Sequence, residues 1–416
     1  MQTLVFVVDR LMLGRHGDAS LAAMQIGGAI EWSIWSVFSA FEVGTIARVG
    51  RHVGAKDPAA ARRAAWLSLG LAAGIGTAVA VLSPLLLTLL PLLAKNVSPA
   101  AMDEARGYLG VTMAASPVVF LAMTAIATLQ AGGDTKTPLA IGIGANVVHV
   151  GLNALLIPRM GARGAGISTA VTFALEAALA LAALVSVKRA VSLRSRGARA
   201  RTTTKEEGRR LLGIAGPAFV ERVLYHVGYV GYVLVIAKLG DHAMAANQSL
   251  ISVESICFLS ADGFGIASAA LVAQKLGADK HDEARSVMKI ATRDAVIALT
   301  CFGLIALALR GLILPRFSSD PEVLAIGSSA MPVLAVAQPF MAIGIVLAQS
   351  LRGAGRTREA LGVSIIGAVV VRLSATWFFA ITLGLGLPGV WMGSTLDWMV
   401  RSALLAAIAS RRRAAV

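Results

Sequence analysis

The sequence predicts an all-α membrane protein of twelve transmembrane helices in two parallel six-helix repeats, with the first helix truncated. Three observations carry that prediction. Hydrophobic residues make up 56% of the chain and charged ones only 15%, at a mean hydropathy of +0.74, whereas soluble domains carry about 25% charge. Apolar runs at 66–93, 111–129, 138–157, 331–347 and 361–385 approach or exceed the roughly 18 residues that read as a membrane span. The third observation is an internal repeat. Gly17-Asp18-Ala19-Ser20-Leu21-Ala22-Ala23-Met24-Gln25 returns as Gly240-Asp241-His242-Ala243-Met244-Ala245-Ala246-Asn247-Gln248. Held without a gap to Asp57 and Lys280, the same offset also pairs Glu31 with Glu254, Phe41 with Phe264 and Gly54-Ala55 with Gly277-Ala278. A repeat of about half the chain length in an apolar sequence marks a two-lobed transporter architecture.

The spans follow in order between polar breaks. They fall at 1–15 and 20–48, closed by a basic segment at 48–63; at 66–94 and 108–130, closed by 131–137; and at 138–157 and 164–187, closed by 188–211. The second copy has 212–238 and 243–273, closed by 275–293; 294–312 and 326–350, closed by 351–359; and 361–384 and 388–409, closed by Arg411-Arg412-Arg413. These closing segments hold about 26 Lys and Arg, against about 8 in the alternate ones. The positive-inside rule therefore makes the closing side and the C-terminus cytoplasmic; a multi-pass location in the plasma (inner) membrane is expected.

Six spans return the chain to the side it left, so both halves share one topology and a pseudo-two-fold axis runs along the membrane normal, with a cavity expected between them. The expected organisation is an N-terminal lobe at 1–187, a solvated basic tether at 188–211 and a C-terminal lobe at 212–416. By the repeat offset Met1 corresponds to Leu224, so the counterpart of Gly213 to Val223 is missing and the first span is expected to be short. The same topology accounts for the net charge of +15 without nucleic acid as a partner. Cys257 and Cys301 lie in apolar runs and read as small hydrophobes. Without a P-loop, metal-ligand spacing, catalytic Cys/His pairing or dinucleotide turn, an enzyme and ATP-driven transport are unsupported, and no cofactor is expected.

Several segments resemble a known family. Val8-Asp9-Arg10-Leu11-Met12-Leu13-Gly14-Arg15-His16-Gly17 followed by Ala22-Ala23 resembles the signature closing the first helix of multidrug and toxic compound extrusion (MATE) transporters. Val49 to Asp57 and its echo Val272 to Lys280 resemble the family's cytoplasmic loops. Gln130 to Pro138 and Leu351 to Thr357 resemble its Gly-Ala-Gly segments, Gly161 to Thr169 the Gly-rich opening of the sixth helix, and Pro217 with Glu221 the start of the seventh. The resemblance covers essentially the whole chain. It implies a secondary antiporter that expels organic cations or other amphipathic compounds, driven by H⁺ or Na⁺, with a small cationic substrate and membrane lipid as partners and a monomeric state. A lipid-linked saccharide flippase of the same superfamily, or a receptor or scaffold without transport, are the competing readings.

Ionisable residues inside spans are costly and usually functional. Here they are Asp9, Glu31, Glu42, Glu176, Glu221, Glu254, Asp262 and Asp397, with Arg10, Arg222, Arg372 and Arg401. The acidic excess suits cations and protons. Asp9 and Asn153 both lie at similar depth, some 9 Å or less from the outer ends of their spans. The resemblance assigns the coupling cation to an Asp in the first helix and to an Asn and an Asp four residues apart in the fifth. Asp9 matches the first; His149 and Asn153 stand in the other two positions, one turn apart on one face. Thr169 in the sixth span is the fourth candidate. One carboxylate beside an imidazole suits a proton, whereas Na⁺ would prefer several oxygen ligands.

Glu31 and Glu254 occupy equivalent positions near mid-depth, where they could attract a cation, relay protons or, for Glu254, neutralise Arg222 or Arg372. Asp397 and Arg401, at i and i+4, read as an intrahelical pair. Glu42 and Asp262 read as snorkelling side chains. Trp35, Tyr225 and Tyr229 are candidates for stacking on a flat cationic substrate, with ordinary packing as the plainer reading.

Overall fold

Between the first span and the C-terminal helix, the chain turns almost entirely on helices that outlast the hydrocarbon core. The computed structural model describes residues 9, 12–14, 16–93, 98–186, 189–194 and 203–410, and no strand occurs among them. The long helices are α1 (Asp18–Gly54), α2 (Pro58–Leu93), α3 (Pro99–Ala114), α4 (Ser116–Ala131), α5 (Lys136–Val185), α6 (Thr204–Ala237), α7 (Asp241–Gly277), α8 (His281–Ala308), α9 (Pro321–Gly353), α10 (Thr357–Thr382) and α11 (Gly386–Ser410), with a single short turn of helix at Arg310–Ile313 between α8 and α9. Of the first span, Asp9, Met12 to Gly14 and His16 are helical. Its remaining residues, the expected shortness of that span, Arg10 and Arg411-Arg412-Arg413 lie outside the described residues.

At 37 residues, α1 and α7 would each run about 55 Å, well beyond a hydrocarbon core of about 30 Å. Large apolar side chains face outward along the helices: Val81, Val147 and Leu312 are each 70% exposed. Such a surface suits a lipid environment. Within lipid there is little hydrophobic drive between helices, so small residues that allow close packing hold them together. A Cβ on Gly389 would meet the backbone of Phe379 and Ala380, and one on Gly393 the backbone of Thr376. These two glycines let α11 lie directly on α10.

The chain divides into two compact units, Met1–Leu212 and Gly213–Val416. In the first, α1 packs on α2, α3 and α4, while α5 packs on α3 and α4. In the second, α9 is the central helix and touches α7, α8 and α11. The sequence repeat reappears in the backbone. Lys56 (φ 53°) and Asp279 (φ 57°) are the non-glycine residues with left-handed φ among those described, and they occupy equivalent positions in the turns after α1 and α7. A strained conformation kept in both copies points to one turn geometry used twice.

Four elements depart from the sequence expectation. The fourth span is not one helix from 108 to 130: α3 and α4 meet at Ala115 with a 54° bend. Pro117 explains it, because it lacks a backbone N–H and crowds the residue before it. The fifth and sixth spans run together as the 50 residues of α5, interrupted at Gly161 (φ 55°, ψ −137°). Only glycine visits that region without strain. Glu104 Oε2 accepts the Ala162 N–H at 2.6 Å there, satisfying a donor that the break exposes.

The expected tether at 188–211 is the third departure. Its described parts are packed into the first unit: Val191 is buried against Val49, Ala61 and Ala131, and α6 already begins at Thr204. Glu207 is buried and bound by Arg48 through two contacts of 2.7 Å, with His52 Nε2 at 3.1 Å. A polar, basic composition hid this anchoring. Finally, α10 widens into π-helical turns over Ile365–Val371 and Phe378–Thr382. Such widenings frequently occur at functional positions, and Arg372 immediately follows the first.

Candidate functional site

A helix of 50 residues, if straight, would extend about 75 Å. The break at Gly161 folds α5 back on itself instead, and this fold-back assembles the site. His149 lies twelve residues before Gly161 and Thr172 eleven after it; Asn153 and Thr169 each lie eight residues away on opposite sides. The two limbs therefore present these pairs at matching heights. His149 Nδ1 lies 3.2 Å from Thr172 Oγ1. All four side chains are buried.

Asp9, contributed by the first span, completes the group and is also buried, at 1% exposure. Its Oδ1 is 2.7 Å from His149 Nε2 and accepts from Asn153 Nδ2 at 2.5 Å. Asn153 Nδ2 is in turn 3.0 Å from His149 Nε2. The spacing of four residues between His149 and Asn153 does what helical geometry requires, placing both on one carboxylate.

Hydrogen-bond directions limit the protonation states. The Thr172 hydroxyl donates to the Ser168 carbonyl at 2.7 Å, which leaves its oxygen to accept from His149 Nδ1–H. Nε2 then faces Asp9 Oδ1 across 2.7 Å, a contact that needs one proton, carried by either the imidazole or the carboxyl. Three oxygens of the group have no hydrogen-bond partner: Asp9 Oδ2, Asn153 Oδ1 and Thr169 Oγ1. Thr169 is thus close in register to the cluster without being bonded into it. Thr172 was missed from sequence, because its relevance appears only once the residue count across Gly161 is known.

The remaining candidates separate. Glu31 is buried at 2% exposure and accepts a hydrogen bond from the Tyr108 hydroxyl on α3. Its repeat counterpart Glu254 is half-buried on α7 and makes no hydrogen bond among the described residues. Arg372 does not pair with Glu254 as sequence allowed. It donates to Asp397 Oδ2 at 2.8 Å, while Arg401 donates to Asp397 Oδ1 at 2.7 Å and to Oδ2 at 2.5 Å. The expected intrahelical pair exists, but it is two-thirds of a triad that ties α10 to α11. Arg401 also lies over the Trp398 ring, 3.8 Å from its centre.

Trp35 is buried edge-on against Phe173, at 5.0 Å between ring centres, beside Phe38 and Phe120. Tyr229 is 38% exposed and stacks on Tyr232 at 6.1 Å. Tyr225 lines a cavity within the second unit together with Arg222, Phe258, Asp262, Trp398 and Arg401. Asp262 does not snorkel; it accepts from Gln349 Nε2 at 2.7 Å. Glu221, held by Arg352 and Ser364, lines the same cavity.

Comparison with known proteins bears on the whole chain. The chain is 24% identical over 413 residues to a probable multidrug resistance protein NorM of Thermotoga maritima, covering 97% of this chain and 87% of that one. It is 29% identical over 411 residues to a probable NorM of Pseudomonas aeruginosa, covering 92% and 80%. Among solved structures, an outward-facing multidrug resistance MATE family transporter superposes with a TM-score of 0.89 at 19% identity, over 97% of this chain and 90% of that one. A Pyrococcus furiosus transporter of the same superfamily, described as having a binding pocket of reverse polarity, gives 0.87 at 19% identity, over 98% and 91%. The MatE family model matches residues 1–155 and 217–378, well over half of the sequence. The chain therefore belongs to the MATE family of multi-pass membrane transporters.

Proposed function

We propose that this protein is a secondary antiporter that exports small amphipathic organic cations by alternating access, taking up H⁺ in exchange. It sits in the inner membrane with its C-terminus on the cytoplasmic side, as the distribution of Lys and Arg favours. The multidrug-resistance names of its relatives support the substrate class. The observation that carries the coupling ion is the Asp9–His149 contact of 2.7 Å. Its single bridging proton gives the site a charge state that can change once per cycle. Proton binding biases the two conformations only if it stabilises one more than the other, and a buried carboxylate is strongly sensitive to which neighbours each conformation supplies.

A Na⁺-coupled reading has one observation in its favour, the three unpartnered oxygens of Asp9, Asn153 and Thr169. The two readings separate in proteoliposomes loaded with a fluorescent cationic dye under separately imposed gradients. A pH gradient alone is expected to drive dye efflux, and a Na⁺ gradient at symmetric pH to leave it at the leak rate. Efflux driven by Na⁺ alone would transfer the coupling role to Na⁺.

A further inference from the structure

The symmetry between Glu31 and Glu254 breaks down in their surroundings. Glu254 stands within electrostatic reach of Arg372 and Arg401. Glu31 belongs to none of the ion pairs among the described residues; the charged group within its reach is Asp9, another acid. Tyr108 and Thr112 face it from α3. On α5, His149 is already engaged by Asp9, and Glu176 lies within electrostatic reach of His149. α4 has no ionisable residue, and those of α2 are confined to Arg62 and Arg63 near its start. Tyr108 donates to Oε2, while Oε1 is buried without a partner.

We infer that Glu31 is a second proton-carrying residue of the transport cycle, so that the first unit binds two protons, one on the Asp9–His149 pair and one on Glu31. The inference rests on the proposed role of Asp9 and extends it. A carboxylate buried beside a second acid, with one oxygen unmatched, is stable only with a proton or a cation. Tyr108 supplies one hydrogen bond but no charge, so it fixes the carboxyl's orientation and leaves its charge unbalanced. Arrival of a cationic substrate offers the alternative counter-charge, and the proton then leaves from Oε1, the oxygen that Tyr108 does not hold. Glu254 differs from Glu31 in having two cations, Arg372 and Arg401, within electrostatic reach, although both are bound directly to Asp397.

Two measurements test the inference on the full-length purified protein. Titrating a cationic dye into weakly buffered detergent solution reports protons released per dye bound, and needs no transport. Wild type is expected to release about two, Glu31→Gln about one and Asp9→Asn about one. In proteoliposomes, exchange of two protons for one monovalent cation moves net charge, so imposed membrane potential should accelerate wild-type efflux and leave Glu31→Gln efflux unaffected. Glu31→Gln releasing as many protons as wild type, with an unchanged response to potential, overturns the inference and leaves Asp9 in place. Asp9→Asn releasing as many protons as wild type instead removes Asp9, whatever Glu31 does.

Discussion

Asp9→Asn is expected to reduce gradient-driven dye efflux in proteoliposomes to the passive leak while leaving the protein folded. The amide keeps a carbonyl oxygen where Oδ1 now accepts from Asn153, so packing and most hydrogen bonding survive. The stability cost should be about 1 kcal/mol, the scale of a weakened buried hydrogen bond. On the proposed mechanism, what is lost is the carboxylate that shares a proton with His149, and with it the difference in charge between loaded and empty states. Dye binding without efflux, together with a thermal unfolding midpoint within a few degrees of wild type, would be the expected result. Undiminished gradient-driven efflux would remove Asp9 from the mechanism.

The largest expected loss of stability lies in the other unit. Asp397 is fully buried and shared by Arg372 and Arg401. Asp397→Ala leaves two guanidinium groups facing each other inside the helices, and breaking a buried pair in this way costs about 3–5 kcal/mol. A fall in the unfolding midpoint and in detergent-extracted yield should follow. Replacing Arg372, Asp397 and Arg401 together with leucine should recover most of that loss, since desolvation of the ions is then avoided. If Asp397→Ala unfolds like wild type, the triad contributes nothing to holding α10 on α11.

What could be read in advance was local. Asp9 was legible as a carboxylate in an apolar run; His149 and Asn153 were singled out by the family resemblance, and their spacing of four residues fixes a shared face. The two copies of the turn at Lys56 and Asp279 were legible as a repeated Gly-Ala pair. Contacts made across the fold were not: Arg372 lies 25 residues from Asp397, and nothing in the local pattern favoured it over Glu254. The π-helical turns of α10 have no compositional signature, since Ile365–Val371 reads as an ordinary apolar helix. Glu207 was hidden for the opposite reason. It sits in a stretch polar enough to pass for a solvated linker, yet Arg48 supplies the charge that permits its burial and His52 a further contact.

The fold-back at Gly161 turns residue count into alignment. Asn153 and Thr169 stand level because eight residues separate each from the break. Deleting one residue from either limb between its site residues and Gly161 would shift that side by about 1.5 Å and rotate it by about 100°. His149 would then face away from Thr172, although no functional side chain had been altered. A matched deletion on both limbs keeps the heights equal but turns both faces together, away from Asp9. The register of the site thus resides in the lengths of the two limbs of α5, a number, as well as in the glycine that lets them fold back.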